Sequence, residues 1–176
     1  MKKVLYFAAL LLTMTLATSC SKEEIGGTAT ENLAGDWYVT VDAVDENGDL
    51  VYSDDELFGM GRIHVATYNS AANNSNELIV DDLGSFWMFK VKTVCEQNSL
   101  SFSTTTTENN NLSGDDINAT ITDGKILPKA GKQNNGSPAD SIVFYVKFSD
   151  DAYPAAYGYA KYKVSGIRYS GLEEND

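Results

Sequence analysis

Hydrophobic and polar residues alternate with a period of two along much of this chain. Such alternation predicts β-strands, because successive side chains of a strand point to opposite faces. Residues 36–44 place Trp37 and its alternate neighbours on one apolar face. Residues 86–94 form the strongest run, in which Trp87 and Phe89 point the same way. No stretch keeps a helical period beyond about two turns, so the pattern indicates an all-β domain.

Turn signals divide these runs into short segments. Asn47-Gly48 readily supplies positive φ and predicts a tight turn. Asp123-Gly124 predicts a hairpin, and the polar residues 108–116 and 128–140 predict loops. Residues 157–168 read as one long last strand that is bulged at Gly166. The chain therefore contains about eight to ten short strands, which favours an antiparallel meander barrel of about eight strands, with a β-sandwich as the alternative.

The amino terminus has a separate organisation. Lys2 and Lys3 precede an uncharged apolar run, and small and polar residues lead to Cys20. This is the layout of a secretory signal peptide with a cysteine at the cleavage point, and it resembles the lipobox of bacterial lipoproteins. We expect a signal peptide over residues 1–19, a lipid anchor on Cys20, a tether over 20–31 and a barrel domain over 32–176.

The first residues of the tether bear on location. Ser21-Lys22-Glu23-Glu24 resembles the surface-export signal of Bacteroidetes lipoproteins. An ordinary solvated tether would have the same composition. We therefore expect an outer-membrane lipoprotein that is exposed at the cell surface and reaches the membrane through its lipid.

Charge and cysteine content narrow the classes of function. Removal of the leader takes Lys2 and Lys3 with it and leaves 11 basic against 25 acidic residues, a formal net charge of −14. Such an acidic domain is soluble and is expected to avoid nucleic acid. Once Cys20 is lipidated, Cys95 has no disulfide partner, and we expect a buried, inert thiol.

Two pieces of the chain resemble the lipocalin pattern. Gly35-Asp36-Trp37 carries the Gly-x-Trp that opens the first lipocalin strand, and Arg168 lies in the last predicted strand. In such barrels a late arginine lies across the early tryptophan and closes one end, a cation–π contact. The resemblance implies that Trp37 and Arg168 form the structural closure of this barrel.

A wider resemblance covers most of the remaining chain. Residues 67–74, then Asp81-Asp82, then residues 86–92 are similar to a Bacteroidetes lipoprotein family known as "lipid-binding putative hydrolase". The resemblance implies a lipocalin-like barrel. The word hydrolase in that description is not an established activity, and only the residues of the chain can support it.

Catalytic residues are sparse. A serine triad needs a histidine base, and the one histidine of the chain, His64, lies between Ile63 and Val65 with no Gly-x-Ser-x-Gly elbow elsewhere. One histidine and one free cysteine do not make a typical zinc set, and no cofactor motif is present. We expect no catalytic residues, no metal and no cofactor, although carboxylate pairs such as Asp150-Asp151 leave glycosidase or calcium chemistry open.

Three functions remain open at this stage. The barrel could bind a lipid or another small apolar ligand in a cavity lined by Trp87, Phe89, Phe144 and Val146, although the same side chains could simply fill the core. A surface glycan-binding or scaffolding protein is the alternative, with sugar rings stacking on exposed tyrosines. The tyrosines considered for that role are Tyr153, Tyr157, Tyr159 and Tyr162. A hydrolase is the third.

Overall fold

The computed structural model describes residues 27–108, 110–114 and 116–175. The predicted signal peptide, Cys20 and the first residues of the tether lie outside this part of the chain. The end of the predicted tether joins the domain, because Thr30 is fully buried. In the described ranges, no helix is long and apolar enough to cross a membrane.

Nine antiparallel strands and three short helical turns make up the described domain. The strands are β1 Gly35–Val44, β2 Leu50–Tyr52, β3 Ile63–Asn69, β4 Glu77–Asp81, β5 Lys90–Glu96, β6 Ser101–Ser103, β7 Ala119–Lys132, β8 Pro138–Phe148 and β9 Lys161–Arg168. The helices are α1 Asp54–Leu57, α2 Tyr153–Tyr157 and the 3-10 turn Glu173–Asn175.

Neighbouring strands pair in sequence order from β3 to β9, and β9 returns to pair with β1. This pairing closes an eight-stranded meander barrel, to which β2 adds a short strand at the end of β1. The all-β meander barrel predicted from the sequence is confirmed, and the sandwich alternative is excluded by the β1–β9 pairing. Closure leaves no free edge along most of the wall, so the ladder hydrogen bonds are shielded from other chains.

Alternation along the long strands determines the core. Trp37, Val39, Val41 and Ala43 point inward from β1, as the pattern predicts, and each is buried. Ile142, Phe144 and Val146 do the same from β8, and a further set of inward residues comes from β3, β4, β5, β7 and β9. At about 25 cal/mol per Å² of apolar surface, this interior is the main source of stability in a domain without a disulfide.

Several local predictions were wrong. The run at residues 86–94 becomes a strand only at Lys90, because Met88 adopts φ 54° and the preceding residues form a loop. Asp123-Gly124 is not a hairpin turn but a bulge inside β7, where Asp123 has φ 53°. The hairpin that follows β7 turns instead at residues 133–137, where the Gln133 amide donates to Ser137.

Gly166 has a different role from the one predicted. The register of β9 against β1 runs without a shift from Trp37–Arg168 to Val44–Lys161, so no bulge interrupts it. A Cβ at position 166 would overlap the backbone carbonyl of Tyr38 on β1. Glycine is needed here because the two strands that close the barrel approach each other closely.

Candidate functional site

One end of the barrel is sealed by Trp37 and Arg168. The guanidinium carbon of Arg168 lies 4.4 Å from the centroid of the Trp37 ring, the contact that the sequence resemblance implied. Arg168 also donates through Nη1 to the Ala34 carbonyl at 2.7 Å and pairs through Nε with Asp140 at 3.3 Å. On the inner side, Trp37 Nε1 donates to Thr67 Oγ1 at 2.9 Å. We call this the sealed end.

The opposite end is covered by aromatic rings. Here β1 and β8 end and β9 begins, and the rings come from loops and strand ends together. We define the mouth cluster as Phe58, Phe86, Trp87, Phe148 and Tyr162. Trp87 stacks on Phe148 with centroids 4.8 Å apart, and Phe86 meets Tyr162 edge-on at 5.2 Å. Phe58 meets Phe86 at 5.4 Å and so completes the layer.

The four residues predicted to line a cavity do not line an open one. Phe89, Phe144 and Val146 are 1%, 0% and 0% exposed and pack among other core side chains, and only Trp87 keeps partial exposure. Trp87 and Phe89 both contact Phe148, whereas Phe144 contacts Phe102 deeper in the barrel, at 5.9 Å. Phe89, Phe144 and Val146 therefore fill the interior below the mouth cluster, and Trp87 belongs to the cluster itself.

The larger depressions found on the described chain open to solvent. One of about 760 Å³ lies against β5, β6 and β7, where the exposed side chains include Val94 and Lys125. Its walls mix polar and apolar groups. It has neither the enclosure nor the convergent aromatic walls that are typical of small-molecule pockets.

Asp82 holds the loop that carries Phe86 and Trp87. Its carboxylate is 1% exposed and accepts the backbone N–H groups of Gly84 at 2.9 Å, Phe86 at 3.2 Å and Trp87 at 2.7 Å. Trp87 Nε1 donates to Asp150 Oδ1 at 3.0 Å on the neighbouring loop. From the sequence, Asp82 was assigned only to the family resemblance, although Asp82-Leu83-Gly84 has the composition of a turn in which an aspartate bonds the backbone two residues on.

Helix α1 covers a gap in the wall beside the mouth. Strand β1 pairs with β3 only as far as Val39 and with β2 only from Ala43, so residues 40–42 have no ladder partner on that side. The segment after β2 fills this gap. It is fixed by Asp54, whose backbone N–H donates to Asp42 at 3.0 Å and whose Oδ2 accepts from the Gly61 amide at 2.7 Å. Phe58 reaches the mouth cluster from this segment.

Comparison with family models agrees with this geometry. The model described as "Lipid-binding putative hydrolase" matches residues 22–173, most of the chain. The chain belongs to this family. No curated protein matches it.

The family description includes the word hydrolase, and a serine triad would need His64 as its base. His64 lies on the outer wall between Tyr38 and Tyr169, and its ring centroid is 4.2 Å from that of Tyr38 and 5.2 Å from that of Tyr169. These are ring-packing contacts, and His64 pairs across the ladder with Tyr38, the neighbour of Trp37. Within the described ranges, no group of three His, Cys, Asp or Glu side chains could hold a metal ion.

Cys95 is buried, and burial raises the pKa of its thiol, as expected for an inert cysteine.

The four tyrosines considered for sugar stacking do not form an exposed strip. Tyr153 and Tyr157 are 47% and 51% exposed, but Tyr159 and Tyr162 are 7% and 0% exposed because they face the inside of the mouth.

Proposed function

We propose that this chain is a cell-envelope lipoprotein whose barrel binds a lipid or another small apolar ligand at the mouth cluster. The observation that carries the proposal is the cluster itself: five aromatic rings gather at one end, and three of them stand on loops rather than strands. Membership of a family described as lipid-binding supports the same conclusion. Ligands in such barrels enter at an end that is not sealed.

The filled interior determines how a ligand would be accommodated. Strand residues such as Phe144 and Val146 cannot leave without breaking the ladder, whereas Phe86 and Trp87 lie outside it. Their loop is fastened by hydrogen bonds to two carboxylates, from Asp82 and Asp150. An acyl chain would displace these two rings and take their place against Phe148 and Tyr162, exchanging one apolar contact for another.

Binding of a neutral amphiphile to the purified protein tests the proposal. Decanol is titrated while tryptophan fluorescence is recorded, and native mass spectrometry gives the stoichiometry. We expect Trp87 to report binding, and Trp87→Phe, which keeps a stacking ring, to remove most of the signal but not the bound mass. Trp37, at the sealed end, supplies a constant background.

Truncation at the mouth should weaken binding specifically. Phe86→Ala and Phe148→Ala should each reduce affinity by about tenfold, the usual scale for a well-packed aromatic contact. Val94→Ala is the matched control, because Val94 is 44% exposed and lies on the outer wall at the depression of about 760 Å³. A loss caused by Val94→Ala but not by the mouth variants would move the site to the outer wall, and an absence of binding would contradict the proposal.

A further inference from the structure

Large apolar side chains are exposed to solvent around the mouth. Leu83 and Met88, on the β4–β5 loop, are 53% and 58% exposed, and Leu112, on the β6–β7 loop, is 57% exposed. These three residues line one depression of about 390 Å³. Tyr153 and Tyr157, on α2, are 47% and 51% exposed, and their ring centroids are 5.8 Å apart. We define these five residues as the rim patch.

The rim patch is continuous with the mouth cluster. Met88 follows Trp87 in the chain, and the Trp87 ring meets the Tyr153 ring edge-on, with centroids 6.3 Å apart. Ser113 Oγ donates to the Met88 carbonyl at 2.8 Å, so the β6–β7 loop is fastened to the β4–β5 loop at the patch. Apolar surface therefore extends from the mouth cluster outward over the neighbouring loops.

Two residues of the patch hold an unfavourable backbone conformation. Leu83 has φ 53° and Met88 has φ 54°, in the left-handed region that glycine and asparagine tolerate best. Each of these side chains is also more than half exposed, so burial contributes little in return. The fold gains little from a leucine or a methionine at these positions, which points to a contact with something outside the chain.

The mouth end is acidic. Each connection at this end contains at least one carboxylate, whereas Arg62 is the one cation in their sequences. These connections are residues 45–49, 53–62, 82–89, 104–118 and 149–160. A surface of this sign is repelled by anionic head groups, so an anionic membrane does not fit this end.

The lysines on the adjoining strands do not offset this charge, because each is matched by a group of the protein. The pairs are Lys90 with Asp81 at 3.0 Å, Lys147 with Glu46 at 3.0 Å, Lys161 with the Glu46 carbonyl at 3.1 Å, and Lys163 with its ladder partner Asp42. The mouth end therefore combines exposed apolar side chains with a net negative charge.

We propose that the rim patch docks on the surface of an electrically neutral lipid bilayer, from which the mouth cluster takes its lipid. The inference rests on the proposed function, because the patch adjoins the site where the lipid is proposed to bind. Exposed leucine and methionine side chains gain free energy by leaving water, and tyrosine suits the boundary between head groups and chains. Side chains carried on separate loops match a deformable lipid surface, which needs no fixed complementary shape.

Vesicle flotation of the chain from residue 20 onward tests the docking, with Cys20→Ser so that no lipid anchor contributes. Phosphatidylcholine vesicles should carry the protein, and phosphatidylglycerol mixed into them should reduce its recovery. Leu83→Asn and Met88→Asn should each weaken binding about fivefold to tenfold, the scale of one partly exposed apolar side chain. Urea unfolding should show equal or higher stability in both variants, because asparagine tolerates a positive φ.

Fluorescence gives the orientation on the wild-type side chains. Phosphatidylcholine with brominated chains should quench Trp87, the neighbour of Met88. Trp87→Phe should lose this quenching, because Trp37 lies at the sealed end. Quenching that persists in Trp87→Phe would show that the sealed end meets the bilayer and would overturn the inference.

Leu172→Asn is the matched control, because Leu172 is 51% exposed and follows β9 beyond the sealed end. It should leave flotation unchanged. An equal loss in Leu172→Asn and Met88→Asn, or tighter binding to vesicles that contain phosphatidylglycerol, would overturn the docking. A dimer in sedimentation velocity that Met88→Asn dissociates, without vesicle binding, would assign the patch to a second copy instead.

Decanol binding, followed by native mass spectrometry, separates this inference from the proposed function. Leu83→Asn and Met88→Asn should leave decanol binding unchanged, because neither side chain belongs to the mouth cluster. A protein that binds decanol but no vesicle overturns the docking alone, and a protein that binds neither overturns both proposals.

Discussion

Trp87 lies flat on Phe148, with 4.8 Å between ring centroids and 5° between ring planes. Trp87 belongs to a loop and Phe148 is the last residue of β8, so the stack joins that loop to the barrel wall. The backbone of the same tryptophan is held by Asp82 and its indole by Asp150. Four residues therefore decide whether the mouth cluster is assembled.

Asp82→Ala should release the 82–89 loop while the barrel persists. Three backbone N–H groups lose their acceptor, and we expect a loss of about 2–4 kcal/mol in the free energy of unfolding. Urea unfolding measures that loss, and acrylamide quenching of Trp87 measures the exposure that follows. Asp82→Asn should cost less, because an amide oxygen still accepts. Equal quenching of Asp82→Ala and wild type would show that the carboxylate does not hold the loop.

The sealed end should show energetic coupling between Trp37 and Arg168. Trp37→Ala should cost about 3–5 kcal/mol, because a fully buried indole leaves a cavity. A double-mutant cycle with Arg168→Ala isolates the pair, for which we expect about 0.5–2 kcal/mol. If the losses of unfolding free energy in the two single variants add up to that of the double variant, the 4.4 Å contact has no specific attraction beyond packing.

Alkaline pH should act through the tyrosine pair. Burial, and secondarily Asp151, raises the folded-state pKa of Tyr159 to about 12. A raised pKa means that the protonated phenol stabilises the fold below its ordinary pKa of about 10, and that this contribution is lost as the pH rises through about 12. Phenolate absorbance should show the late step. Asp151→Asn should move the step to lower pH without bringing it to 10, because burial remains, and Asp123→Asn should not move it.

Cys20 should be the membrane anchor. In the native host, Cys20→Ser should leave the protein unlipidated and releasable without detergent, because no thioether can form on a hydroxyl. Partition between detergent and aqueous phases measures this, with Cys95→Ser as the matched control for loss of a thiol. Unchanged partition of Cys20→Ser into the detergent phase would contradict the anchor.

His64→Ala should leave any esterase activity of the pure protein unaltered. Its ring packs between Tyr38 and Tyr169, so the change should cost some packing energy but no catalysis. Hydrolysis of a short-chain nitrophenyl ester provides the assay, and circular dichroism verifies the fold. An activity that disappears from a folded variant would reopen the hydrolase reading.

The barrel and its sealed end could be predicted because their signals are local. Period-two alternation fixes which side of β1 and β8 faces inward, and the Gly-x-Trp of Trp37 with the late Arg168 names the closing pair. The residues picked for a cavity, Phe89, Phe144 and Val146, do face inward. Alternation, however, indicates only which way a side chain points. Whether a cavity remains inside the barrel depends on the sizes of all the inward side chains together.

The mouth cluster could not be predicted in the same way. Residues 86–89 alternate like a strand, but Met88 at φ 54° interrupts the strand because Asp82 captures the backbone N–H groups nearby. The hydrogen bond between Tyr159 and Tyr162 depends on how the β8–β9 connection folds back over the end of the barrel. Each is a consequence of tertiary contacts, which outweigh the local pattern in these loops.

The described chain enters the barrel at its sealed end: the Ala29 amide bonds Asn73 in the β3–β4 turn, and Leu33 lies under the first strand. A lipid on Cys20 would therefore attach the domain to the membrane at its sealed end, with at most about 25 Å of chain between Cys20 and residue 27. If the lipid sits at that end, the aromatic end would face away from the bilayer. Such an orientation would suit exchange with an opposing surface or with the surrounding medium, rather than extraction of lipid from the membrane beneath.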